Sequence, residues 1–175
     1  MADLIRTIHY YSEGSCAAVV RLPTHGHEWI AWALDAGAAG IILPHVRHCF
    51  TVCAVLIEPN FHPQSETVEQ AKHAVKSARF GPKGKRSFPP FALLPGHNDG
   101  TPEGKTMFDV WNDNAVIIMQ IESALGVKNA HDIAAVDGID ALMVGPADLR
   151  FDMGLVRPSF PTAPNLHADN ARLRI

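Results

Sequence analysis

Two carboxylates stand at the ends of two apolar runs in the C-terminal half of this chain. AVIIMQIES delivers Glu122 in Gln120-Ile121-Glu122, and DGIDALMVGPADLR delivers Asp148 in Gly145-Pro146-Ala147-Asp148. Apolar runs of this kind read as strands buried on both faces, as in a parallel sheet. An acid just past the C-terminal end of such a strand stands where α/β enzymes keep their chemistry. Two hard oxygen donors on one rim suit a divalent cation such as Mg²⁺ or Mn²⁺. Either acid alone could do no more than favour the start of the following helix. The pair, each preceded by a strand and followed by a helix-starting segment, points to a metal site. Gly145, Pro146 and Ala147 are small enough to let backbone N–H groups close on an anionic ligand.

Arg21 sits inside AVVRLP, at the end of an otherwise apolar strand. A guanidinium stays charged at pH 7, so it must reach solvent, a counter-charge or a ligand. It could close a strand-end salt bridge or steady a developing oxyanion. Asp35 falls in the last turn of a helical pattern, where the macrodipole disfavours negative charge. It is either an exposed acid at small cost or a group that orients a nearby base. His25-Gly26-His27 looks like a metal pair but precedes a helix, and reads better as a capping loop. His45 follows a strand and Pro44, on the same expected rim. Gly81-Pro82-Lys83-Gly84-Lys85 lacks the full phosphate-loop pattern and follows no strand, so it is set aside.

These groups need a frame. Residues 2–10 read as a helix, Ala17–Leu22 as a strand closed by Pro23, and His27–Ala36 as a helix stopped by Gly37. GIIL at 40–43 is a buried strand, and Thr67–Arg79 an amphipathic helix with Val68, Ala71, Val75 and Ala78 on one face. Gly81–Gly104 reads as a long loop, Ala115–Ile121 as a strand, and AHDIAAV as a helix with Asn129 as its N-cap. Ala141–Val144 is the last clear strand; beyond Gly154 no period holds. Strand alternating with helix is the rhythm of a parallel sheet with crossover helices.

A chain of 175 residues can bury one real core, yet it is short for a closed eight-stranded barrel, which takes about 250 and at least about 200. The net charge of −3 argues against non-specific nucleic-acid binding. No apolar run approaches the roughly 20 residues that span a bilayer, and MADLIRTIHYYSEG lacks the apolar core of a signal peptide. Three cysteines without a metal-type CxxC pair fit a reducing compartment. A cytoplasmic location is therefore expected. Residues 48–66 interrupt the rhythm: without them IILPHVR runs straight into TVEQAKHAVKSAR. The segment reads as an atypical insert of the kind a retained intron leaves; a genuine extra strand or surface loop is the alternative.

Several segments together resemble the HpcH/HpaI aldolase/citrate lyase family, the metal-dependent class II aldolases of 2-oxo acids. They are VVRLP at 19–23, ALDAGAAGIILPHV at 33–46, ARFGPKGKRSF at 78–88, IIMQIESALGVKNAHDIAAVDGIDALMVGPADL at 117–149 and FDMG at 151–154. The QIE…GPADL pairing is the specific part, and SFPPFALLPG resembles fungal members in particular.

The resemblance implies an α/β fold, here an incomplete (β/α)₈ TIM barrel of the phosphoenolpyruvate/pyruvate type lacking the first strands and the last. Residues 1–154 would form the partial barrel domain and 155–175 an irregular tail. By the same resemblance Glu122 and Asp148 are ligands of Mg²⁺, Mn²⁺ or Co²⁺. Gln120, Ala147 and Asp148 touch substrate, with Gly145 and Pro146 beside them. Arg21 stabilises the transition state, and Asp35 raises the basicity of the catalytic histidine.

The implied reaction is cleavage of a 4-hydroxy-2-oxo acid to pyruvate and an aldehyde. The complete enzyme would be a cytoplasmic homo-oligomer acting on small molecules, with neither nucleic acid nor membrane as partner. No segment here matches the strand that carries the family's histidine, and His9 lies in the wrong element. Impaired cleavage is therefore expected. The alternative is a non-catalytic fragment that acts only through association, since open sheet edges invite pairing.

Overall fold

The computed structural model describes residues 1–44, 66–88 and 101–155. His45, His48, His62, Cys49 and Cys53, residues 48–65 of the expected insert and residues 156–175 of the expected tail lie outside the described residues. Four strands, β1 (Val19–Arg21), β2 (Gly40–Leu43), β3 (Val116–Ile121) and β4 (Ala141–Val144), form one parallel sheet in the order β1-β2-β3-β4. Every neighbouring pair is parallel, with Arg21 beside Ile42, Ile42 beside Ile118 and Ile118 beside Ala141. All four strands therefore end on one rim. The β1 ladder runs past the assigned strand, since Leu22 N–H donates to the Ile42 carbonyl at 2.9 Å.

Alternation along the strands divides the sheet into two faces. Ile41, Leu43, Ile117, Met119 and Ile121 point to one side and are buried. They pack on Ile30, Ala33 and Leu34 of α2 (His27–Asp35), Ala71, Ala74 and Ala78 of α3 (Val68–Ala78), and Ile133 of α5 (Ala124–Ala134). Three alanines on α3 bring that helix close to the strands. On the other face Val19 and Val116 are exposed, and Ile42, Ile118 and Met143 are half-buried. Helix α1 (Ala2–Tyr11) seats Ile5 on Ala18 and Ala38 at the N-terminal end of the sheet.

The helix starts carry their chemistry locally. Thr67 and Gln70 form a capping box on α3. Gly37 ends α2 with φ +94, a conformation glycine adopts freely. Two helices differ from expectation. Helix α4 (Met107–Asn114) was not read from the sequence, because MFDVWNDN is rich in poor helix formers. Its signal was Thr106 with Asp109, which form a second capping box. Helix α5 starts at Ala124 with Ser123 as its cap, so Asn129 is interior and not an N-cap. The Asn129 amide instead donates to the Glu66 carbonyl at 3.0 Å. Glu66, the last residue of the expected insert, is buried at the start of α5, where its carboxylate accepts the Ser123 hydroxyl.

Candidate active site

Four of the expected site residues meet at the C-terminal ends of the strands. Arg21 closes β1 and reaches across β2: its Nε donates to Gln120 Oε1 at 2.9 Å. Its Nη2 lies 3.8 Å from Glu122 Oε1, where the arginine side chain is 51% exposed and the glutamate 4%. The cation thus faces the open side while the carboxylate is nearly shut in. Gln120 is buried on the sheet face opposite the α2–α3–α5 core, one step before the end of β3.

Gly145 makes this packing possible. Its N–H continues the β3–β4 ladder to the Ile121 carbonyl at 2.9 Å. A Cβ at Gly145 would stand 2.3 Å from Glu122 Oε1 and 2.8 Å from Gln120 Nε2. Both side chains therefore occupy space that any other residue would fill. Pro146 then opens the short helix α6 (Pro146–Asp152) from its first position, where a missing N–H costs nothing. Asp148 is in the first turn of α6 and is exposed, as are Pro146 and Ala147. The α6 helix is tied back to α5 through Asp152, whose carboxylate accepts the Ala124 N–H at 2.8 Å.

Asp35 does not join this group within the chain. It ends α2, beside the N-terminal ends of β2 and β3, and so lies at the other end of the strands. There its Oδ1 accepts from Arg86 at 2.5 and 3.1 Å. Arg86 is buried and lies 4.4 Å from the Phe80 ring centroid. Its burial pulls the guanidinium below its usual range, an effect that Asp35 opposes. Asp35, Arg86, Arg6 and Trp111 border a cleft of about 580 Å³. Within the described residues the acid in the last turn of α2 thus pairs with a buried guanidinium.

His25 is fixed by its Nε2 to the Pro44 carbonyl at 2.7 Å and Gly26 is the N-cap of α2, so the first two residues of His25-Gly26-His27 form the capping segment and His27 opens the helix. Glu66 is the group that sequence reasoning missed. Its carboxylate accepts the Glu122 backbone N–H and the Ser123 hydroxyl. Its place at the edge of an apparent insert hid it; the available signal was an acid just before the Thr67 capping box.

Chain-wide comparison settles the family. The model of the HpcH/HpaI aldolase/citrate lyase family matches residues 1–172. The chain belongs to that family. A 4-hydroxy-2-oxovalerate aldolase of Novosphingobium aromaticivorans is 37% identical over 82% of this chain and 46% of that protein. A 5-keto-4-deoxy-D-glucarate aldolase of Salmonella arizonae is 35% identical over 81% of this chain and 47% of its own length. Among solved structures, macrophomate synthase superposes with a TM-score of 0.74 at 35% identity, covering 98% of this chain and 52% of that one. The HpcH/HpaI aldolase of Desulfitobacterium hafniense gives 0.67 at 22% identity, over 98% and 56%, and so supports the fold. The HpcH/HpaI chain described here spans about half the length of these relatives. Its α/β parallel sheet is accordingly a part of the barrel of HpcH/HpaI aldolases. No described helix is long and apolar enough to cross a membrane.

Proposed function

We propose that this chain carries the cation- and substrate-binding part of a metal-dependent carbon–carbon lyase. Its substrate would be a 4-hydroxy-2-oxo acid, cleaved to pyruvate and an aldehyde. The observation that carries the reading is the convergence of Arg21, Gln120 and Glu122 on one rim around a glycine with no room for a side chain. The family membership and the aldolase relatives support it.

The residues fit a hard divalent cation. Glu122 offers a carboxylate oxygen beside Gly145, and Asp148 offers another from the first turn of α6. Mg²⁺ and Mn²⁺ are commonly held by one or two carboxylates, the remaining positions going to water and substrate. When bound, the cation would act as a Lewis acid toward a chelating 2-oxo acid. The protein's own groups do the rest. Gln120, buried and bonded to Arg21, orients the substrate. Arg21 brings a permanent positive charge to the negative charge that develops on the keto oxygen as the carbon–carbon bond breaks. Gly145, Pro146 and Ala147 leave the backbone open to the substrate carboxylate.

A general base must also take the proton of the 4-hydroxyl. This reading assigns that role to none of the described residues, so the chain is expected to bind pyruvate and cation and to cleave weakly. The test is Mn²⁺ and pyruvate binding by calorimetry in wild type, Glu122→Gln and Asp148→Asn. Loss of Mn²⁺ binding in both variants supports the reading, and unchanged binding in both removes it. Vigorous aldol cleavage by the purified chain would overturn the weak-turnover expectation alone. The exposed Val19 and Val116 on the open sheet face favour a second reading, in which the chain works only in association. Sedimentation of the isolated chain as a monomer would count against it.

A further inference from the structure

Glu66 is the most deeply buried charged side chain among the described residues, 1% exposed, and the lyase reading leaves it unused. A buried carboxylate is costly unless its oxygens are satisfied. Here one oxygen accepts the Glu122 backbone N–H and the other the Ser123 hydroxyl. Ser123 passes the contact on, because its Oγ accepts the Gly126 N–H at 3.0 Å. The carboxylate thus sits at the start of α5, where the helix dipole favours negative charge.

The surroundings are built for it. A Cβ at Gly126 would fall 2.0 Å from Glu66 Oε2, so the glycine leaves room for the acid. The Glu66 backbone is held at both ends: its N–H donates to Gln70 Oε1 at 2.5 Å, and its carbonyl accepts from Asn129 at 3.0 Å. Its φ of +105 lies where L-residues rarely sit, a conformation that persists when the surroundings over-determine it. Glu66 therefore grips the main chain of Glu122, while the Glu122 side chain lies between Arg21 and Gly145.

We propose that Glu66 is a positioning residue: by holding the Glu122 N–H and the Ser123 hydroxyl it aims the Glu122 carboxylate at the bound cation. The proposal rests on the reading of Glu122 as a cation ligand. Outer partners of metal ligands typically contribute about 10–100-fold in affinity.

Mn²⁺ titration of the full chain by calorimetry tests it, at a temperature where each metal-free variant is folded, with the metal-free melting midpoint recorded separately. Glu66→Ala is expected to weaken Mn²⁺ by about 10–100-fold. Glu66→Gln keeps an acceptor for the Glu122 N–H and is expected to recover most of the affinity. Glu66→Asp keeps the charge but withdraws it by one methylene, and should lose about tenfold. A purely structural role would lower the midpoints and leave the affinities equal. Wild-type affinity in Glu66→Ala, or in Glu66→Asp should Glu66→Ala fail to fold, overturns the proposal. Wild-type affinity in Glu122→Ala instead sinks the cation reading and this role with it.

Discussion

At the scale of single residues, Gly145 is the most exacting position of the candidate site. It has no Cβ because Glu122 and Gln120 already fill that space. Gly145→Ala should therefore displace the Glu122 carboxylate and weaken Mn²⁺ by at least about tenfold, by analogy with the loss of an outer metal partner. Calorimetric titration checks it, with circular dichroism to show that the fold survives. Asp35 makes the opposite prediction. Removing it with Asp35→Ala leaves the buried Arg86 guanidinium without its carboxylate, which should cost about 3 kcal/mol in urea unfolding. Mn²⁺ affinity should be unchanged, because Asp35 lies at the far end of the strands.

At the scale of elements, α4 shows how a helix of poor intrinsic propensity is held by its ends and its contacts. Thr106 accepts the Asp109 N–H, and the Asp109 carboxylate returns to the Thr106 N–H and hydroxyl. Phe108 and Trp111 then pack on Phe80. Thr106→Ala should cost about 1 kcal/mol, read from denaturant midpoints. These contacts also predict a pH dependence. The hydroxyl and backbone N–H of Thr106 hold Asp109 below the usual carboxylate range, and Lys105 does the same for Asp113. Folded pKa values that lie below the unfolded ones stabilise the fold above about pH 4. That contribution is lost as pH falls through the folded values. Thermal midpoints in dilute buffer should therefore decline below about pH 4, and Asp109→Asn should flatten part of the decline.

At the scale of the whole molecule, the two faces of the sheet carry unequal weight. Ile117 is fully buried among α2, α3 and α5, whereas its neighbour Val116 is 38% exposed on the other side. Ile117→Ala should cost about 2–5 kcal/mol, a large share of a typical domain's stability. Val116→Ala should change little, within about 0.5 kcal/mol. Equilibrium unfolding of both variants checks the contrast. Near-equal losses would mean that the second face is as well covered as the first.

The order of elements was legible from local pattern. GIIL, VIIMQI and ALMV are strands because short β-branched and apolar runs bounded by turn residues suit a parallel sheet, and Gly37 stops α2 as read. Arg21, Gln120 and Glu122 meet because each stands at or beside a strand end and parallel strands share one rim; the sequence read Arg21 and Glu122 at strand ends, while Gln120 came from the family resemblance. The reach of α5 back to Ala124 and the existence of α4 were missed, because caps at Ser123 and Thr106 outweighed weak helical composition. Partners distant in the chain were decided by tertiary packing alone. Asp35 meets Arg86, and Glu66 meets Glu122 across 56 positions, through contacts that no local spacing encodes. Local sequence sets which backbone shapes are cheap, while burial decides which charges must find each other.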